Sequence, residues 1–108
     1  MSLLDEHIRR FNEGVRTGDF TRMAAAFADN AEMHFEGVPA GPFVGREAIS
    51  AAYRDRPPDD EVEIFDPEER DGLIVARYGW RRDEGRQAGE MRISQRNGQI
   101  QKLIVTFD

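Results

Sequence analysis

The sequence predicts an α+β domain: three N-terminal helices laid against a curved, mostly antiparallel sheet. Three observations carry this expectation. Apolar residues recur at helical spacing through the first half. From residue 62 onward the pattern changes to alternation, interrupted by turn dipeptides. The strand faces so formed hold more apolar side chains than one sheet can bury alone, and the helices supply the cover. All 108 residues are expected to form one domain, 1–108.

The elements follow in order. Leu4, Ile8, Phe11 and Val15 form the inward stripe of a first helix, with Ser2 as its N-cap and Gly18 as its stop. Asp19 caps a second helix whose stripe is Phe20, Met23, Ala24 and Phe27. Residues 31–36 alternate apolar and polar, as a strand does. Residues 37–45 hold Pro39, Pro42 and three glycines and read as a loop. A third helix over 47–54 buries Ala48, Ile49, Ala52 and Tyr53 and ends at Pro57-Pro58. Strands are expected over 62–66, 73–82, 88–96 and 99–107. Their turns fall at Asp71-Gly72, near Asp83-Glu84-Gly85 and at Asn97-Gly98, the last a type I′ hairpin signal.

Composition narrows the function classes. The net charge is −6, which argues against a nucleic-acid partner. There is no cysteine, so no disulfide or thiolate metal site is expected, and the chain fits a reducing cytoplasm. No apolar run reaches the ~20 residues of a membrane span, and the N-terminus does not read as a signal peptide. Charge is unevenly placed: 54–72 holds nine acids and three arginines, 77–102 seven bases and three acids. The two segments either pair across adjacent strands or set up a steering field for a charged ligand.

Thr17-Gly18-Asp19-Phe20, then Ala28-Asp29-Asn30-Ala31, then Gly45-Arg46-Glu47-Ala48-Ile49 ten residues beyond Phe35, set an unusual element order. In these features the chain resembles the nuclear transport factor 2-like superfamily, which includes SnoaL-like and ketosteroid isomerase-like proteins. The resemblance implies a sheet wrapped into an open cone-like barrel, closed on one side by the helices around a pocket. It implies a small apolar or aromatic ligand, no cofactor, and a homodimer through the outer sheet face. Ile104 and Ile100, read as lying opposite Leu103 and Val105 on the last strand, support a covered outer face. The superfamily holds enzymes, binders and docking modules alike. The catalytic form would be an isomerase, cyclase or lyase moving a proton on a carbonyl compound. The alternative is a non-catalytic dimeric module with a filled core that acts through protein contacts.

The candidate site residues divide by role. The resemblance places the proton-moving carboxylate at the end of the first strand, at Phe35 or at Glu36 according to the direction of counting. A bulge turning Glu36 inward would make it the general base. The superfamily's tyrosine on the first helix corresponds to Phe11, which cannot donate a hydrogen bond, and Glu90 is the only acid on the late strands. Tyr53 and Trp80 are the candidate replacement donors, with Tyr78 beside them. Phe11, Met23, Phe27, Phe35, Phe43 and Phe107 are the expected apolar lining, with His34 and Arg92 as polar ligand contacts. Glu32, His34 and Glu36 share one strand face, either toward water or as a metal- or proton-binding trio; no metal is expected. Arg77 and Tyr78 cannot both point inward. His7 reads as a partly exposed surface histidine. No Asp stands at the mid-strand positions used by limonene-epoxide-hydrolase-like members, which argues against that chemistry.

Overall fold

Helix α1 (Leu3–Thr17) buries Leu4, Ile8 and Phe11 along one stripe, as the apolar spacing dictates, and His7 beside them. This description rests on a computed structural model and covers residues 3–84 and 86–108; the Ser2 cap and Gly85 lie outside the described residues. Gly18, at φ 82°, ends α1 by donating its N–H to the Gly14 carbonyl at 2.7 Å. Helix α2 is a single turn, Thr21–Ala25. Phe20 takes its N-cap position, while the Asp19 carboxylate accepts hydrogen bonds from the Thr21 N–H and hydroxyl.

Strand β1 (Phe27–Glu36) starts earlier than its alternation suggests. Phe27 therefore belongs to a strand, not to the second helix. The short β2 (Phe43–Val44) lies inside the expected loop and pairs with Met33 and Glu32. Helix α3 (Arg46–Asp55) follows directly; its N-cap is Gly45 at φ 96°, and no side chain caps it. The second half is a meander: β3 (Val62–Arg70), β4 (Leu73–Trp80), a 3₁₀ turn (Arg81–Asp83), β5 (Gln87–Arg96) and β6 (Gln99–Thr106). Asp71-Gly72 and Asn97-Gly98 both carry two successive positive φ angles, as type I′ turns require.

The six strands form one sheet in the order β2-β1-β6-β5-β4-β3. All neighbours are antiparallel except β1 and β6, which run parallel. The sheet curves without closing, so its concave face is left for the helices to cover. Met33, Ile74, Ala76, Tyr78, Met91, Ile93, Leu103 and Val105 point to that face and pack with the helical stripes. Irregularities at Phe65/Glu68, Tyr78/Gly79 and Ser94/Gln95 supply the bends. The last of these inserts one residue into β6 at Gln101, between Ile100 and Lys102. That flips the side-chain parity, so Ile100 is fully buried with Leu103 and Val105 while Ile104 faces outward. The expected Ile100–Ile104 pair on the outer face is thus corrected to Ile104 alone.

The acidic and basic segments do pair across strands. Arg77 meets Asp66, Arg81 meets Glu61 and Glu63, and Arg82 meets Asp59 and Asp60. These are surface pairs of small individual worth. Together they tie the 3₁₀ turn after Trp80 to the segment that leads into β3. A more consequential tie was not foreseen: the buried Asn12 amide donates to the Val62 carbonyl at 3.0 Å and accepts from the Val62 N–H at 2.8 Å. It fastens the middle of α1 to the start of β3.

Candidate ligand-binding site

The helices cover only part of the concave face. Between them and the sheet lies an open pocket of about 510 Å³. Its walls are Phe11 of α1, Met33 and Phe35 of β1, Phe43 of β2, Ala52 and Tyr53 of α3, and Trp80 at the end of β4. Pro39, Ala40 and Gly41 from one loop, with Asp55, Arg56 and Pro58 from another, frame its mouth.

Local packing explains why this space stays open. Phe20 lies directly on Gly14 of α1, where any Cβ would overlap its ring. Seated there, Phe20 packs against Tyr53 at a tilt of 37° with ring centroids 5.2 Å apart, and Phe11 meets Tyr53 edge-on at 6.2 Å. These contacts hold the Tyr53 ring in the wall. Across the pocket, Phe35 packs edge-on against Phe43 at 6.2 Å. Trp80 packs edge-on against Tyr78 at 6.0 Å. A wall of aromatic rings locked by other rings resists collapse.

The polar groups are few. The Tyr53 hydroxyl and the Trp80 indole N–H have no hydrogen-bond partner among the described residues, whereas the Tyr78 hydroxyl donates to the Thr106 carbonyl at 2.9 Å. Burial pushes the Tyr53 phenol well above its ordinary value of 10.0, so at neutral pH it is a donor. Burial and the Asp108 carboxylate push Tyr78 up to about 12.

The structure gathers Phe11, Phe35, Phe43, Tyr53 and Trp80 around one pocket and leaves the other candidates elsewhere. Met23 and Phe27 are wholly buried core residues with no free surface for a ligand. Phe107 sits past the end of β6, 36% exposed, against Phe35 and Tyr78. Glu36 is exposed and continues regular pairing opposite Thr106, so no bulge turns it inward. Phe35, not Glu36, is the pocket residue at the end of β1. His34 faces outward with Glu32, its Nε2 3.0 Å from the Glu32 carboxylate. Arg92 is exposed on the outer face beside Glu90, for the same parity reason. Tyr78 takes the inward position and Arg77 the outward one. No metal-binding cluster of His, Asp or Glu occurs among the described residues.

His7 is the clearest reversal. It is 2% exposed, edge-on to Phe27 at 5.8 Å, and its Nδ1 has no partner among the described residues. Burial, with a smaller push from Arg10, lowers its pKa from 6.5 to about 4. It lies next to the apolar stripe, and in α1 that stripe is wide enough to include it.

A curved, partly open sheet with an aromatic pocket under three helices defines an α+β cone-like architecture. The SnoaL-like domain model matches residues 8–101, and the chain belongs to that family. Its superfamily includes isomerase and ligand-binding members. No curated protein matches the chain. Among solved structures, a computationally designed 17-OHP binder superposes with a TM-score of 0.75 at 14% identity, over 100% of this chain and 92% of that one. A SnoaL-like protein of unknown function from Burkholderia thailandensis gives a TM-score of 0.73 at 17% identity, over 98% of this chain and 94% of the other. An NTF2-like protein of unknown function from Cytophaga hutchinsonii gives 0.72 at 16%, over 100% and 91%. At these identities the likeness establishes the fold.

Proposed function

We propose that this SnoaL-like domain binds a small apolar or aromatic molecule in the pocket, as a binding protein and not as a proton-transfer enzyme. One observation carries the reading. An aromatic pocket of about 510 Å³ presents two unpartnered donors, the Tyr53 hydroxyl and the Trp80 indole. That combination, apolar walls with a few placed polar groups, suits a compound bearing a carbonyl or hydroxyl acceptor. The likeness to a designed 17-OHP binder supports the size class. Catalysis of the isomerase kind needs a carboxylate at the reacting carbon. Glu36 lies outside the lining, and Asp55, the one acid within it, is at the mouth with its side chain 73% exposed.

The test is a thermal-shift screen with steroids, aromatic polyketides, terpenoids and small carboxylic acids. A ligand at ~100 times its Kd adds about 2.7 kcal/mol, a rise of roughly 10–20 °C for a domain of this size. Ala52→Phe, which fills the pocket, should abolish the rise. A rise that survives Ala52→Phe would place binding elsewhere, and silence across all classes would defeat the reading.

The outer sheet face is proposed to pair with a second copy. His34, Ile104, Arg92 and Val75 form one row across it, with Ile104 and Val75 half-buried. Sedimentation should show a dimer that Ile104→Arg dissociates. A wild-type monomer at high concentration would end that proposal.

A further inference from the structure

We infer that the pocket selects apolar molecules bearing one anionic group, a carboxylate above all, and that Arg56 receives this group at the mouth. The inference rests on the ligand-binding reading and adds the ligand's charge to it.

Arg56 differs from most arginines of this chain. Of the fourteen, ten make ion pairs with carboxylates. The Arg56 guanidinium has no partner among the described residues, and Arg56 alone of the arginines lines the aromatic pocket. An unpaired guanidinium against apolar walls offers a planar fork of donors to a carboxylate, with bidentate geometry.

Its position follows from helix geometry. Arg56 is the C-cap of α3, four residues past Ala52. Its N–H still bonds the Ala52 carbonyl at 3.0 Å, so the chain has advanced one turn, about 6 Å, beyond Ala52, and both residues line the pocket. The short Ala52 side chain leaves the space beneath it open. Tyr53 flanks Arg56 on one side and Asp55 borders the other. Asp55 is drawn toward Arg54 at 3.8 Å, so the three charges at this helix end sum to +1. In a chain of net charge −6, that is a local exception placed at the entrance of its apolar pocket. A ligand with its rings among Phe11, Phe35 and Trp80 would leave its acid group beside Arg56.

A simpler role competes: Arg56 offsets the negative end of α3 and touches no ligand. Calorimetric titration separates the two, using naphthoate and naphthamide, probes of like shape that differ in charge. The wild type should bind naphthoate about tenfold more tightly than naphthamide, as one charge-assisted contact at a partly exposed site provides. Added salt should narrow the gap. Arg56→Gln should erase the gap by weakening naphthoate about tenfold more than naphthamide, and Arg56→Lys should restore part of it. Equal binding of both probes by the wild type, or a gap that survives Arg56→Gln, overturns the inference and leaves the pocket reading standing. If neither probe binds at its solubility limit, the inference falls, and the thermal-shift screen decides the reading beneath it.

Discussion

Acid should weaken this fold through one residue, His7. The ring is 2% exposed and its Nδ1 makes no hydrogen bond among the described residues. Its pKa in the fold is about 4 against 6.5 for a free imidazole, with burial the main cause and Arg10 the lesser one. The unfolded chain therefore takes up a proton between pH 6.5 and 4 that the folded chain refuses. A depressed imidazole pKa means stability that is complete above pH 6.5 and declines as pH falls. The slope approaches about 1.4 kcal/mol per pH unit, and the total is on the order of 3 kcal/mol. Between pH 7 and 5 the melting temperature should fall by roughly 5–15 °C. Carboxylates do not mask this window. Glu6, Asp19 and Asp60 are lowered below their ordinary values by hydrogen bonds from Arg9, Thr21 and Arg82 respectively, and what they contribute is lost only in stronger acid. His7→Leu removes the titrating group and sacrifices no hydrogen bond at Nδ1. The assay is thermal melting by circular dichroism at steps from pH 7 to 5, wild type beside variant. The variant should show a nearly flat profile. An equally steep profile in the variant, or a flat one in the wild type, refutes the argument.

Two substitutions test the scaffold around the pocket. Asn12→Ala removes both side-chain bonds to Val62 and strands a buried N–H and carbonyl, so chemical denaturation should show a loss of about 2–4 kcal/mol. Asn12→Asp, which keeps the acceptor and loses the donor, should still unfold more easily than wild type. Gly14→Ala would favour an ordinary helix by ~0.5–1 kcal/mol. Here the new methyl meets the ring of Phe20, whose Cγ would lie 2.9 Å away, so denaturation should show destabilisation of about 1–3 kcal/mol. Because Phe20 backs Tyr53, near-ultraviolet circular dichroism should also change.

The helices and the meander were legible because their signals are local. Leu4, Ile8 and Phe11 repeat at helical period, and Asn97-Gly98 names its own turn. What escaped depends on distant partners. Phe27 fits a helical stripe after Met23 and Ala24, yet it pairs beside Ile100 across the sheet. Parity along β6 reverses at an inserted residue that no local pattern announces. Residue type picked out the rings that line the pocket, Phe11, Phe35, Phe43, Tyr53 and Trp80, but also Phe27 and Phe107, which do not line it, and it misplaced the polar candidates. Glu36, His34 and Arg92 turned outward because strand parity, not chemistry, decides their side. Arg56 lay unmarked next to Pro57-Pro58, a loop signal that hid its place at the pocket mouth. Asn12 gave one faint sign, a polar residue beside Phe11 on the buried side of α1.

Trp80 is the only tryptophan, and it lines the pocket, so its emission reports directly on an occupant. The most direct measurement is a fluorescence titration with one steroid, one aromatic polyketide and one terpenoid, run on wild type and on Ala52→Phe. The account predicts a saturable change with at least one class in the wild type and none in the filled variant. No saturable change with any class, or an identical one in both proteins, would contradict it.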